Sequence, residues 1–217
     1  MIIAIDGPAG AGKSTVAKLV ARKLGFTYLD TGAMYRALTV EALNKKADLN
    51  NEEELVALGK NSKIEVVPQK DGTLNIFLNG MDVTTRIREN DVTKSVSFIA
   101  RAPRVRAIMV ELQRAFSKNH NIVVEGRDIG TVVFPNAEKK FYLDADFKER
   151  AKRRIKELKE TKPDTNEQEI TQDLEYRDNQ DLNRKVAPLK KAGDAVCIDT
   201  TPLNIEQVVD KILSYIK

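Results

Sequence analysis

The strongest constraint on this chain is a glycine-rich turn that directly follows its first apolar segment. Residues 1–6 predict a buried strand, and residues 7–14 (Gly-Pro-Ala-Gly-Ala-Gly-Lys-Ser) match the pattern G-x-x-x-x-G-K-[ST]. Helical spacing follows over residues 14–24. A chance match in such a chain is on the order of one percent, given average glycine usage. The sequence therefore predicts a strand, a phosphate-binding loop and a helix as one unit.

The chemistry of phosphate explains why such a loop has this composition. Glycines let the main chain curl so that successive N–H groups face inward, and the helix that follows adds a partial positive charge. Lys13 supplies a full charge for the β- and γ-phosphates of a nucleotide, and the Ser14 hydroxyl suits Mg²⁺. The residues expected to bind the triphosphate of ATP are Gly7, Pro8, Ala9, Gly10, Ala11, Gly12, Lys13, Ser14 and Thr15.

Buried strands and helices alternate along most of the chain, which predicts an α/β fold with a parallel sheet covered on both faces. The predicted strands span residues 1–6, 26–30, 121–125, 139–143 and 195–199. The predicted helices span residues 14–24, 33–44, 52–61, 147–160 and 167–183. Pro103 begins a further helix, with an apolar face formed by Val105, Ile108, Met109, Leu112 and Phe116. Asn204 caps a last helix, whose apolar face is Ile205, Val208, Val209, Ile212, Leu213 and Ile216.

Two segments interrupt this rhythm. Residues 63–78 predict two strands around the turn Lys70-Asp71-Gly72, so a small β-rich insert is expected at about residues 61–89. The charged stretch at about 146–185, interrupted by Lys162-Pro163-Asp164, predicts a mobile helical pair rather than core, a lid. The remaining segments, about 1–60, 90–145 and 186–217, are expected to form the core of a single three-layer domain with five parallel strands.

Composition excludes several classes of protein. The net charge is +4, from 36 basic and 32 acidic residues, which is too small to indicate nucleic-acid binding. The longest apolar runs are about five residues, far below the roughly 20 that a membrane span needs. With no visible secretory signal and the single cysteine Cys197, we expect a cytoplasmic protein, and nothing indicates an obligate assembly, so a monomer is expected. Cys197 is expected in the core and His120 in a loop, and no zinc site is expected.

A phosphate loop alone leaves open what the protein does with the nucleotide. A nucleotide-driven switch would carry N-K-x-D and D-x-x-G signatures, and neither occurs, since the nearest string ends in Ala47 instead of Asp. A phosphoryl-transfer enzyme with a small acceptor is therefore favoured over a switch. The acceptor can be a nucleotide or another small molecule such as a sugar acid.

Arginines cluster where an acceptor phosphate would bind. Arg36 and Arg127 follow the ends of predicted strands, where ligands gather in open α/β sheets, and Arg106 opens a helix. Arg177 and Arg184 lie seven residues apart on one predicted helix face. Because a guanidinium grips phosphate bidentately, this pattern favours transfer of a phosphoryl group between two phosphates.

Four segments together resemble the bacterial cytidylate kinases, within the nucleoside monophosphate kinases, and the resemblance extends over nearly the whole chain. They are residues 5–14, 29–36 (Leu-Asp-Thr-Gly-Ala-Met-Tyr-Arg), 125–135 (Glu-Gly-Arg-Asp-Ile-Gly-Thr-Val-Val-Phe-Pro) and 183–189 (Asn-Arg-Lys-Val-Ala-Pro-Leu). The β-rich insert fits the same family. The resemblance implies an ATP- and Mg²⁺-dependent enzyme that phosphorylates CMP and dCMP.

It also implies roles for individual residues. Lys13, Arg127 and Arg184 would be catalytic. Thr31, which stands where the family often has Ser, would lie near the acceptor phosphate, and Arg36, Arg127 and Arg184 would grip it. Ser97, Arg106 and Asp128 would read the cytosine, and Arg177 and Asp181 would contact the sugar.

Hydrogen-bonding chemistry supports the cytosine assignment independently. Asp128 can accept from the exocyclic amine, and Arg106 can donate to the neighbouring acceptors. Uracil would present a carbonyl to the carboxylate, so CMP is expected to be used well above UMP. Two assignments are less direct. Glu125 occupies a position where relatives often have Asp, and the lid contributes Arg150, Arg153 and Arg154, of which Arg154 is expected to contact ATP.

Overall fold

The structure is a computed structural model that describes residues 1–69, 72–118, 120–161 and 165–216. The strands are β1 (Ile2–Asp6), β2 (Thr27–Asp30), β3 (Ile64–Pro68), β4 (Leu74–Leu78), β5 (Met81–Asp82), β6 (Ile122–Gly126), β7 (Lys139–Asp144) and β8 (Val196–Asp199). The helices are α1 (Lys13–Leu24), α2 (Thr31–Asn44), α3 (Glu52–Asn61), α4 (Asn90–Arg101), α5 (Pro103–Ser117), α6 (Phe147–Thr161), α7 (Glu167–Leu182) and α8 (Ile205–Ser214).

The central sheet confirms the predicted fold class. Five strands pair in the order β2-β6-β1-β7-β8, and every pair is parallel. The register sets Asp6 of β1 beside Gly126 of β6, and Glu125 of β6 beside Asp30 of β2. The carboxyl ends of these three strands therefore meet at one edge of the sheet, and the segments that follow them share one crevice.

Apolar side chains fill both faces of this sheet. Along β1, Ile3 and Ile5 pack on the face covered by α1 and α8, while Ala4 packs on the opposite face with α2, α3 and α5. Strand β6 alternates in the same way, and Val123 is fully buried on the α1 side. Each fully buried branched side chain contributes about 1.5–3 kcal/mol, so both layers of helices are held firmly against the strands.

The insert forms a separate antiparallel sheet in the order β3-β4-β5. Both predicted strands are confirmed, although Lys70 and Asp71 of the predicted turn lie outside the described residues. Ile76 and Leu78 of β4 pack against Ala37 of α2, which attaches this sheet to the core. Sequence reasoning missed β5 and the whole of α4.

The two charged helices, α6 and α7, form the predicted pair, and the break at Lys162-Pro163-Asp164 lies outside the described residues. The expectation that this pair is separate from any core was wrong in part. Ala151, Ile170 and Leu174 are buried, and Ala151 and Leu174 cluster with Ala9 of the glycine-rich loop. The pair therefore packs directly on that loop through an apolar contact.

Three local expectations have different outcomes. Asn204 does cap α8, and Gln207 completes a capping box. Ile205 was expected on the apolar face of α8, but it is 47% exposed, and the buried residues of that face are Val208, Val209 and Ile212. Cys197 was expected in the core but is exposed, because β8 is the edge strand and Val196 and Ile198, on its other face, are the residues that pack on the core. In the part of the chain that the structure describes, no helix has the length and apolar character needed to cross a membrane.

Candidate active site

The phosphate loop occupies residues 7–12 between β1 and α1, as the motif predicts. Gly7 has φ of 148°, and a Cβ there would lie 2.0 Å from the carbonyl oxygen of Leu143, so only glycine fits between the strands. Gly10 and Gly12 are left-handed, with φ of 77° and 84°. These conformations curl the main chain into the start of α1 at Lys13, which leaves helix N–H groups directed at the loop.

Lys13 lies within this loop rather than in solvent. Its side chain is buried, and Nζ donates to the carbonyl oxygen of Pro8 at 2.6 Å. Burial, followed by repulsion from Arg127, lowers the pKa of Lys13 to about 7, against the pull of Glu125. A buried cation held mainly by a neutral carbonyl gains strongly from a bound anion, which is what a phosphate-binding lysine requires.

Oxygen ligands lie beside the lysine. Ser14 and Thr15 are exposed at the start of α1, and Glu125 is buried at the end of β6, where it accepts from the Tyr28 hydroxyl at 2.7 Å. Burial and then Asp30 raise the pKa of Glu125, while a hydrogen bond from the Ser14 side chain opposes them. Among the described residues, no group of three or more acidic, histidine or cysteine side chains is placed to hold a metal ion. The oxygens of Ser14 and Glu125 are ligands of the type that Mg²⁺ prefers.

A short π-helical turn at residues 129–133 follows β6 and carries the next functional groups. The Asp6 carboxylate accepts from the backbone N–H groups of Ile129 and Gly130, both at 2.7 Å, and so ties the end of β1 to this turn. Burial raises the pKa of Asp6 to about 6, although both hydrogen bonds act to lower it. Thr31 is the first residue of α2, and its hydroxyl group donates to the carbonyl oxygen of Glu125 at 2.7 Å.

The predicted base-reading pair is assembled and buried. Arg106 of α5 donates through Nη2 to Asp128, and its Nη1 reaches the carbonyl oxygen of Ala100 at 3.1 Å. The guanidinium also lies 5.5 Å from the ring centroid of Tyr35. Burial acts to lower the pKa of Arg106, but Tyr35 and Asp128 together raise it. Ser97 is half-buried on α4, one turn before Ala100.

A second ion-paired group lies next to this pair. Arg127 donates from Nε to Asp181 of α7 at 2.8 Å, and Arg184 lies 3.8 Å from the other oxygen of the same carboxylate. Burial, followed by repulsion from Arg106, lowers the pKa of Arg184. The two ion-paired groups are therefore close enough to interact electrostatically. Arg184 was expected on the face of α7, but that helix ends at Leu182, so the residue lies in the segment after it.

Several buried donors of this region have no partner among the described residues. They are Nε of Arg106, Nε and Nη2 of Arg184, and the hydroxyl group of Tyr35. A buried donor without a partner is unfavourable by roughly 1–3 kcal/mol, and such groups in native proteins mark functional positions. These unpartnered donors distinguish the cluster from the phosphate loop, where the Lys13 ammonium group is bound to Pro8.

Three further arginines extend this group of cations. Arg36 donates to the Thr93 hydroxyl at 2.9 Å, and burial followed by repulsion from Arg177 lowers its pKa. Burial and then Arg127 lower the pKa of Arg177. Arg154 of the lid pairs with Glu157 and repels both Arg36 and Arg177. Crowding of this kind favours a polyanion, since like charges within a low-dielectric cleft are stabilised only when negative charge lies between them.

The structure thus brings together all the predicted acceptor-side charged residues, with the predicted Arg154 beside them rather than on the phosphate loop. The other two lid arginines are engaged elsewhere: Arg150 binds the main chain of the phosphate loop, and Arg153 binds Thr200. Sequence reasoning missed Tyr35 and Asp6. The signal for both was their place next to motif residues, one position before Arg36 and one before Gly7.

Comparison with known proteins gives one consistent result. The family model described as cytidylate kinase matches residues 3–217. The cytidylate kinase of Geobacillus sp. (strain WCH70) is 51% identical over 214 residues, which cover 99% of this chain and 95% of that protein. Cytidylate kinase 1 of Haemophilus influenzae is 46% identical over 217 residues, which cover 100% of this chain and 94% of that protein.

A solved structure of an uncharacterized protein from Eubacterium ventriosum has the same overall fold. It has a TM-score of 0.54 and 13% identity, covering 100% of this chain and 98% of that chain. The sequence relatives support the stronger conclusion, because they combine high identity with almost complete coverage. They also belong to the family that the four motif segments resemble. This chain belongs to the cytidylate kinase family.

Proposed function

We propose that this chain transfers the γ-phosphoryl group of ATP to CMP or dCMP, giving ADP and CDP or dCDP, as a step of pyrimidine nucleotide metabolism. The observation that carries the proposal is the buried Arg106–Asp128 pair, with unpartnered donors beside it, at the same sheet edge as the phosphate loop. Family membership, shown by the match over residues 3–217, supports the same reaction.

In this mechanism the phosphate loop binds the donor phosphates, and the arginines bind the acceptor phosphate. An oxygen of the acceptor phosphate attacks the γ-phosphorus, and the bond from that phosphorus to the β-phosphate oxygen breaks, so that ADP leaves. The acceptor phosphate is already ionised at neutral pH, so no general base is required. Lys13 and the loop amides hold the donor phosphates, while Arg36, Arg127 and Arg184 hold the acceptor phosphate in line with them.

Mg²⁺ belongs to the proposal as the partner of ATP. Bound to the phosphates, it would neutralise part of their charge, and Ser14 is the residue we propose as its ligand. Glu125 accepts from Tyr28 and lies near Ser14, so it can orient a water of the same ion. Thr15 stays a predicted contact of the triphosphate, and Arg154 a predicted contact of the transferring group when the lid closes.

Base selection follows from the polarity of the Arg106–Asp128 pair. Asp128 accepts only, so it favours the exocyclic amine of cytosine and disfavours the carbonyl at the same position in uracil. Arg106 donates to the ring acceptors, and Ser97 is proposed to add a further contact. Asp181 and Arg177 are proposed to contact the sugar, which leaves both ribose and deoxyribose acceptable in the mechanism.

The proposal includes the division into a core, an insert at about 61–89 and a lid at about 146–185. It also includes a monomeric enzyme that works in the cytoplasm and binds neither nucleic acid nor membrane.

The alternative is a kinase for another small acceptor, such as another nucleotide or a sugar acid. One assay separates the two: release of ADP from ATP and Mg²⁺ with CMP, dCMP, UMP, AMP and a sugar acid offered in turn. Turnover with CMP and dCMP well above the others is expected, and equal use of UMP would refute the base assignment.

A further inference from the structure

Both lid helices form hydrogen bonds with the main chain of one residue of the phosphate loop, Ala9. Arg150 of α6 donates from Nη1 to the carbonyl oxygen of Ala9 at 3.0 Å. The N–H group of Ala9 faces Asp178 of α7, with its nitrogen 3.4 Å from Oδ1. Both polar groups of this residue are therefore bound by side chains of the lid. We call Arg150, Asp178 and the main chain of Ala9 the Ala9 clamp.

The clamp is buried and internally paired. Arg150 and Asp178 are 8% and 7% exposed, and Nη1 of Arg150 also donates to Oδ2 of Asp178. Nε of Arg150 donates to the carbonyl oxygen of Ala145 at 3.0 Å, which fixes the guanidinium at the start of α6. One guanidinium thus joins both lid helices to the loop. Such planar, multiple hydrogen bonding is specific to arginine.

The close packing of Gly10 against Arg150 is a second, independent observation that α6 contacts the phosphate loop. The motif G-x-x-x-x-G-K-[ST] leaves position 10 unspecified, yet this chain has a left-handed glycine there, with φ of 77°. A Cβ at Gly10 would lie 2.9 Å from the carbonyl oxygen of Arg150 and 3.0 Å from its Cβ. The close approach of α6 therefore excludes a side chain at Gly10, in addition to the left-handed backbone that the loop adopts there.

We propose that Arg150 and Asp178 are positioning residues that hold the phosphate loop, through Ala9, in the shape that the phosphates of ATP need. This inference rests on the proposed use of ATP as donor. The N–H and C=O groups of Ala9 are directed at the lid, which fixes the two peptide planes on either side of Ala9 and hence the direction of the Gly10 N–H group. The lid and the loop then adopt the ATP-binding shape together rather than separately.

Because Arg150 and Asp178 carry opposite charges, single and double variants can distinguish a positioning role from a purely stabilising one. Removal of one partner leaves the other charge buried and unpaired, which destabilises the fold strongly, whereas removal of both can be nearly neutral. A double variant without either charge therefore recovers the fold but not the hydrogen bonds to Ala9. If the pair serves only stability, function recovers with the fold. If it positions the loop, function does not.

The experiment compares Asp178→Leu, which removes the acceptor of the Ala9 N–H group together with the charge, Arg150→Met and the double variant with the unmodified protein. The melting temperature, kcat and the KM values for ATP and CMP are measured, and the Kd for ATP is measured by calorimetry without CMP. We expect lower melting temperatures in both single variants and recovery of most of the loss in the double variant. We expect the KM and Kd for ATP to rise about tenfold in all three, because small displacements of binding groups weaken their contacts steeply, with the KM for CMP changed by less than about twofold.

A matched control lies further along the same helices. Lys159 and Glu167 form another ion pair between α6 and α7, exposed and away from Ala9, so Glu167→Gln should leave the affinity for ATP unchanged. A double variant that regains normal affinity for ATP together with its melting temperature would overturn the inference. Equal losses for ATP and CMP would overturn it as well. Because ATP binding is measured without CMP, failure of the unmodified protein to phosphorylate CMP refutes the proposed acceptor and leaves the clamp tested separately.

Discussion

The donor and acceptor halves of the site satisfy their polar groups in opposite ways. In the phosphate loop, the protein itself supplies partners: Lys13 is bound to Pro8, and Ala9 is bound by two lid side chains. In the acceptor cluster, Arg106, Arg184 and Tyr35 keep buried donor atoms without a partner among the described residues. The proposed donor half therefore satisfies its polar groups through its own contacts, and the proposed acceptor half keeps buried donors that the described part of the protein leaves without a partner.

This contrast predicts different consequences of mutation in the two halves. Loss of a donor-side residue should remove contacts that the folded protein already makes, so activity and stability should fall together. Loss of an acceptor-side group whose buried donors have no partner, such as the Arg184 guanidinium or the Tyr35 hydroxyl, should lower activity while stability is kept or improved. Loss of one member of the buried Arg106–Asp128 pair should instead lower stability as well.

The largest effect is expected for Lys13→Ala. Its side chain is the full charge of the loop, so we expect kcat to fall about 1,000-fold or more, as for other groups that neutralise charge in phosphoryl transfer. ADP release with saturating CMP measures the loss, and calorimetric binding of CMP serves as the internal control, since the acceptor site is unchanged. Activity near that of the unmodified protein would contradict the mechanism.

Asp128→Asn should produce the next largest effect. The amide would turn an N–H group either to Arg106 or to the cytosine amine, so we expect kcat/KM for CMP to fall about 100-fold or more. Use of UMP should fall less or rise, because an amide can donate to the uracil carbonyl. The matched control is Glu53→Gln, which removes an exposed ion pair with Arg104. An equal loss for CMP and UMP would show that Asp128 does not select the base.

Asp6 connects the two halves, and its contribution to the free energy of unfolding should depend on pH. Its pKa of about 6 in the folded protein lies above its ordinary value of 3.8, so the folded state holds the proton more tightly. The contribution to stability is therefore present at low pH and lost as pH rises from about 4 to about 6. Relative to Asp6→Asn, the unmodified protein should lose about 2 kcal/mol over this interval. Urea unfolding of both proteins at pH 4 and pH 7 measures the difference, and parallel curves would contradict the assignment.

The smallest effect should distinguish the halves most clearly. Arg184→Met removes two buried donors without partners, and Asp181 keeps its bond to Arg127, so we expect a gain of about 1 kcal/mol in the free energy of unfolding. The melting temperature should rise by about 2–4 °C while turnover with CMP falls. Thermal unfolding without nucleotide measures this, and a clear loss of stability would remove the contrast between the two halves.

Local patterns predicted the parts of the molecule that are local in sequence. The phosphate loop, the five parallel strands and the hairpin strands of the insert follow from motif and periodicity over short stretches. Helix α4 was missed although Val92, Val96 and Ile99 recur at helical spacing, because these apolar residues are few among many polar ones. Cys197 was misjudged because its exposure depends on β8 being an edge strand, and strand order is a property of the whole chain.

The site shows the same division between local and distant information. Each acceptor arginine stands in a recognisable segment, so the charged residues could be named in advance, although not their pairing. The Ala9 clamp could not be predicted, since Arg150 and Asp178 lie 141 and 169 residues from Ala9 and meet it only in the folded chain. Unpartnered donors are likewise visible only when burial is known.

Exposure of the single cysteine on β8 has a practical consequence. A maleimide dye would attach at Cys197 alone, without any engineered thiol, three residues before Thr200. The main-chain carbonyl and hydroxyl oxygens of Thr200 accept from Arg153 of α6, at 2.7 and 3.1 Å. Fluorescence from this one label would therefore report, in real time, whether α6 stays docked beside β8 while nucleotides bind and leave.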